Sequence, residues 1–136
     1  MAVNYNLESD LSIDEFIDLL ERSTLSDRRP VQDIERINKM LQNADIIITA
    51  RENGKLIGVS RAISDFSFCT YLSDLAVDVS FQNKGIGKRL IYETKIKGGE
   101  GKLILLSAPQ AVRYYPKIGM QHFDQCYIID HQNQIL

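Results

Sequence analysis

The residues of greatest chemical interest lie in one short run, Gln82-Asn83-Lys84-Gly85-Ile86-Gly87-Lys88. The run joins a β-branched segment to a helical one. Glycines at such a junction let an anion approach the main chain with no Cβ in the way. The helix start adds unpaired N–H groups and the positive end of the helix dipole. The chemistry implied is the binding of a pyrophosphate. Two familiar nucleotide motifs do not fit. A Walker turn needs Lys-Ser/Thr after its second glycine, whereas Gly87 is followed by Lys88-Arg89. The dinucleotide fingerprint lacks its third glycine.

The elements that must position this turn follow from periodicity. A short strand is predicted at Val3 to Leu7, and Ser12 caps a helix whose Ile13, Phe16, Ile17, Leu19 and Leu20 recur at helical spacing. That helix ends near Arg22 to Thr24, and a polar loop, Ser26 to Pro30, carries Arg28 and Arg29. A second amphipathic stripe follows at Val31, Ile34, Ile37, Met40 and Leu41. The β-branched segments Asp45 to Arg51 and Lys55 to Ile63 flank Glu52-Asn53-Gly54, and Asn-Gly marks a hairpin. A third strand spans about Phe68 to Val79, and after the glycine turn a helix covers Lys88 to Lys97. Gly98, Gly99 and Gly101 end it, Leu103 to Leu106 forms a short apolar strand, and Pro109 opens a short helix through Tyr115. Gln121 to Asp130 reads as a last strand or hairpin. A strand that leads through a helix into another strand implies a right-handed crossover and parallel pairing. The fold class expected is α/β (α+β), with a mixed antiparallel and parallel central sheet flanked by helices.

Composition narrows the partners. The chain has 136 residues, 44% hydrophobic and 25% charged, which suits one compact domain over 1–136. A formal charge of -2 provides no broad basic field for nucleic acid. No apolar run approaches the roughly 18 residues of a membrane span, and the start has no basic-then-apolar leader, so a cytoplasmic location is expected. Cys69 and Cys126 lie far apart, with no metal-ligand spacing to His122 or His131, and read as reduced thiols. No metal is expected.

The glycine run resembles the Gln/Arg-x-x-Gly-x-Gly/Ala signature of the GNAT superfamily of N-acetyltransferases, with Leu75-Ala76-Val77-Asp78-Val79 as the strand before it. Downstream, Tyr114-Tyr115-Pro116-Lys117-Ile118-Gly119-Met120 is similar to the aromatic-Tyr-x-Lys-x-Gly-aromatic motif of the same superfamily. The likeness covers roughly Ile46 to Met120. Gly58 to Asp65 and Leu105 to Pro109 look most like small bacterial members and the related plant arylalkylamine acetyltransferases. Met120 replaces the usual aromatic, Pro116 follows the key tyrosine, and Val79 stands where proline is frequent.

The resemblance implies a GNAT fold that binds acetyl-CoA as cosubstrate and passes acetyl directly to a primary amine in a ternary complex. It further implies that the main chain of Leu75, Ala76 and Val77 holds the pantetheine arm where two strands splay at a bulge. Gln82, Asn83, Lys84, Gly85, Ile86, Gly87 and Lys88 would take the pyrophosphate, and the Val77 N–H would meet the developing oxyanion. Tyr115 is the candidate proton donor to the departing thiolate, since a phenol titrates at about 10 and a thiol at about 8.5. A packing tyrosine is the alternative. Asp74 is the candidate base, against a carboxylate that only holds loop backbone. Ser107, at the end of the short parallel strand, is a candidate for the cofactor arm or the acceptor. Arg28, Arg29 and Arg61 are candidates to hold an acceptor that carries a carboxylate or phosphate, against charges that are simply solvated. The acceptor is a small-molecule or peptide amine, and a homodimer through the late strands, Cys126 to Ile129, is compatible with the family. A CoA-binding sensor without turnover is the alternative function.

Overall fold

The structure is a computed structural model that describes residues 2–136. It divides into a unit ending at Leu106 and a second unit, Ser107–Leu136.

The first unit is a five-stranded sheet in the order β1 (Val3–Leu7), β2 (Ile46–Glu52), β3 (Lys55–Ser64), β4 (Cys69–Val77), β5 (Lys102–Leu105). The first three pairings are antiparallel and the last is parallel. The mixed sheet agrees with the expected fold class. Asn53 and Gly54 both take positive φ, 51° and 82°, as a two-residue hairpin demands. Because β5 must run alongside β4, the chain crosses over through α3 (Ile86–Gly98) before it pairs.

Helices α1 (Ile13–Arg22) and α2 (Ile34–Gln42) pack on one face of the sheet. Ser12 caps α1 by accepting from the Glu15 amide at 3.2 Å, and Asp33 caps α2 by accepting from that of Arg36 at 3.1 Å. Phe16, Leu19, Leu20 and Ile37 are wholly buried against Ile47, Leu56, Val59 and Ala76. Each such side chain contributes about 1.5–3 kcal/mol on leaving water. Val31 lies ahead of α2, so the helix begins three residues later than its apolar stripe.

Helix α3 lies against the other face. Its approach is close at Gly58, where a Cβ would meet Ile86 Cγ2 and Leu90 Cδ1 at 3.1 Å each. Two buried hydroxyls, Ser60 and Thr94, join β3 to α3 at 2.6 Å. Neither is left unsatisfied, as burial requires.

The second unit holds a 3-10 turn at Pro109–Ala111, a single-turn helix α4 (Tyr114–Lys117) and another 3-10 turn at Gln132–Gln134. The expected helix from Pro109 to Tyr115 is thus two separate turns. Pro116 is tolerated because it falls in the first turn of α4, where its missing N–H is no loss. Gln121 to Asp130 contains no strand, and that expectation is corrected. A strand persists only when its backbone groups are paired, and nothing within this unit pairs with the segment.

Candidate active site

The glycine turn is built as a helix start. From Val77 the chain passes through Asp78 and a 3-10 turn, Val79–Phe81, before Gln82. Asn83 and Gly85 then take positive φ, 62° and 83°. Gly85 is the N-cap of α3 and offers no side chain to the first amides of the helix. A Cβ built on Gly85 has nothing within 4 Å, so the space beside this residue is open. The N–H groups of Ile86, Gly87 and Lys88 precede the first helical bond, which runs from the Arg89 amide to the Gly85 carbonyl at 3.0 Å. This arrangement fits a pyrophosphate: several donors, a favourable dipole and no steric guard. Lys84 and Lys88 are exposed at its rim, with Lys84 Nζ 5.3 Å from the centre of the Phe81 ring.

Contacts of Gln82 and Asp78 anchor this turn to the chain that leads into it and to α1. The Gln82 side-chain amide donates to the Val77 carbonyl at 3.1 Å. Asp78, nearly buried, accepts from the Ser80 amide at 2.8 Å and from Arg22 Nη1 at 2.6 Å. Burial alone would raise the Asp78 pKa, but the Ser80 amide and the Arg22 guanidinium together bring it below the ordinary carboxylate value. Arg22 also donates to the Leu56 carbonyl at 2.7 Å. The end of α1 is therefore tied to the foot of the glycine turn. Arg22 and Asp78 stand 56 residues apart, and no local pattern pairs them.

The edge of β4 opens where the resemblance asks. Its parallel pairing with β5 ends at Leu72 and Leu105, while β4 itself runs on to Val77. Among the described residues no strand pairs with that edge over 73–77. Leu75 and Val77 are half-buried and Ala76 faces the core, so the side chains belong to the sheet and the backbone remains for a ligand. A bulge in β4 accompanies the parting: Arg61 pairs with Asp74 and Ala62 with Leu72, which leaves Ser73 without a partner in β3.

The structure brings Arg29, Arg61 and Asp74 together and leaves Arg28 aside. Asp74 is 0% exposed, and each of its oxygens accepts from a guanidinium, one from Arg29 Nε and the other from Arg61 Nε. Both oxygens of Asp74 are thus engaged and neither faces solvent. Arg29 and Arg61 likewise bond to Asp74, to Ser73 and to backbone carbonyls. Arg28 is exposed.

Ser107 and Tyr115 belong to the second unit. The Ser107 hydroxyl donates to the Ala108 carbonyl at 2.7 Å. Tyr115 is half-buried and meets Tyr114 edge to face, with ring centres 5.3 Å apart. Burial, with a smaller push from Tyr114, raises its pKa above the usual 10.0. Such a phenol keeps its proton across the neutral range. The Ile118 and Met120 amides close α4 on the Tyr115 carbonyl at 3.1 Å, with Gly119 at a φ of 97°.

These features define a sheet that parts at one strand beside a glycine-capped helix, the architecture of an acyltransferase domain. The sequence model of the acetyltransferase (GNAT) domain matches residues 22–129, and the chain belongs to that family. An uncharacterised N-acetyltransferase, ycf52, of the alga Pyropia yezoensis is 32% identical, over 80% of this chain and 68% of that protein. The chain spans about half the length of two soybean relatives that it also matches. Among solved structures, a GNAT-family acetyltransferase of Streptococcus pneumoniae superposes with a TM-score of 0.77 at 17% identity, covering 96% of this chain and 97% of that one. AAC(6')-Iy, in complex with a CoA-containing bisubstrate analogue, does so with a TM-score of 0.74 at 14% identity, covering 97% and 99%. Both share the fold. No helix among the described residues is long and apolar enough to cross a membrane.

Proposed function

We propose that this chain is an acetyl-CoA-dependent N-acetyltransferase that passes acetyl directly to a primary amine in a ternary complex. The observation that carries the reading is the open N-terminus of α3 at Gly85, reached through one 3-10 turn from β4, whose edge over 73–77 has no strand partner among the described residues. Pyrophosphate at the amides of Ile86 to Lys88 and an extended arm along Leu75 to Val77 use both features at once. Lys84 and Lys88 add positive charge at the rim. The two units form one acetyltransferase domain in this reading, supported by a family match that extends over both.

When bound, acetyl-CoA supplies an activated acyl carbon and a thiol leaving group. The main chain of β4 orients the thioester, and the Val77 N–H donates to the oxygen on which charge collects. Tyr115, with its raised pKa, is the proton donor to the thiolate as the C–S bond breaks and the N–C bond forms. With Asp74 held by two arginines, the amine loses its proton to solvent before attack. Arg28 remains the exposed cation available to an acceptor that carries a second, negative group.

Amine-dependent release of free thiol from acetyl-CoA, followed over a panel of amino sugars, polyamines, arylalkylamines and peptides, tests the reading. Release with at least one amine supports it. Tight acetyl-CoA binding without release for any of them favours the second reading, a CoA sensor, to which the lack of a free carboxylate at Asp74 already lends support.

A further inference from the structure

The bulge of β4 is held by charge. Ser73 has no partner in β3, and the pairing of β4 with β5 stops one residue before it. Two arginines from separate elements converge on this residue. Arg29 Nη2 donates to the Ser73 carbonyl at 2.7 Å, and Arg61 Nη2 donates to its hydroxyl at 3.0 Å. Both guanidiniums are anchored by the next residue, Asp74, one on each oxygen. Arg29 Nη1 reaches the Arg28 carbonyl at 2.7 Å and Arg61 Nη1 the Met40 carbonyl at 3.2 Å. The cluster thereby joins the segment after α1, the end of α2 and strand β3 to a single point on β4.

We propose that the Arg29–Asp74–Arg61 cluster is a positioning device that fixes where β4 parts from β5 and so keeps the Leu75–Val77 edge presented to the arm of acetyl-CoA. This rests on the cofactor reading given above. A bulge residue has no ladder bonds of its own, and a one-residue slip would restore pairing while turning every later side chain to the opposite face. Here a slip would strip Asp74 of both guanidiniums and leave a buried carboxylate without a partner, which is prohibitive. The registry is therefore set by electrostatics at Ser73 and Asp74 and passed along four residues to Val77. These are positioning residues, acting on the ligand through the β4 edge.

The ligand divides into two halves that test this separately. 3′-Phosphoadenosine 5′-diphosphate ends at the pyrophosphate and depends on the Gly85 turn, whereas acetyl-CoA also needs the β4 edge. Arg29→Met leaves Asp74 and Arg61 as a one-to-one pair and is the variant of choice. In calorimetry it should bind acetyl-CoA about tenfold more weakly and the diphosphate as the wild type does. Ser73→Ala, which removes only one hydroxyl contact and threatens the fold least, should show the same split at about threefold. Equal losses for both ligands, or unchanged acetyl-CoA affinity in either folded variant, would overturn the positioning role. Failure of the wild type to bind acetyl-CoA would instead remove the cofactor reading, and this role along with it.

Discussion

Gly58 lies directly beneath Ile86, the first residue of α3, so the helix that carries the glycine turn rests on β3 at a point with no side chain. The depth of that seat sets the height of the helix start above the sheet. Gly58→Val should push Ile86 and Leu90 outward, since both already lie 3.1 Å from the position a Cβ would take. We expect a loss of about 1–3 kcal/mol in stability, read from denaturant midpoints, with weaker acetyl-CoA binding in the folded fraction.

Gly85 separates strain from obstruction. It takes a φ of 83° with no protein atom near an added Cβ, so Gly85→Ala should cost about 1–2 kcal/mol in stability, and its methyl, placed where the anion approaches, should weaken acetyl-CoA binding less than a larger side chain does. Gly85→Glu adds bulk and negative charge over the amides and should lower that affinity by at least about tenfold. Thermal melts beside binding titrations distinguish the two.

Tyr115→Phe should reduce turnover by about a hundredfold while leaving cofactor binding unchanged. The pH profile of the wild type carries the same assignment. Because the Tyr115 pKa is raised, the phenol holds its proton up to and beyond pH 10, so activity should climb as the acceptor amine deprotonates and fall only above that value. A fall in activity as pH rises from about 7 toward about 9 would contradict the role.

These sites were legible to different depths. Asn53-Gly54, Ser12 and the Gly85 turn are local signals, because each depends on the conformational freedom or hydrogen bonding of one or two residues, and the structure follows them. Helix α3 starts at Ile86, two residues ahead of the helical pattern, since Gly87 weakens the pattern without breaking the helix. The partners of Asp74 lay beyond such reading. Arg29 is 45 residues away and Arg61 is 13, and only the pairing of β3 with β4 and the packing of the loop after α1 bring them together. The apolar run at Cys126 to Ile129 misled for the opposite reason: its strand character is local, but a strand also needs a neighbour.

Arg51 ties β2 to the residue after β1, Glu8, and to α1 through Glu15, at 2.9 Å and 2.7 Å for the shorter contact with each. Its hydrogen bonds hold both carboxyl groups below their ordinary value of 4.5. Groups depressed in the folded state stabilise above their unfolded pKa and lose that effect as pH falls through the folded one. Arg51→Met should thus melt earlier at pH 7, by about 1 kcal/mol given the exposure of Glu15, and its deficit should shrink as pH drops below 4.5. A deficit constant from pH 7 to 3 would show that packing, not charge, is responsible.

Acetyl-CoA, in the function proposed above, is held jointly by the Gly85 turn and the β4 edge. Calorimetric titration of the wild-type protein with acetyl-CoA, beside ATP and NAD under identical conditions, tests it most directly. Saturable binding of acetyl-CoA alone is expected. Binding of ATP or NAD in its place, or of none of the three, would contradict it.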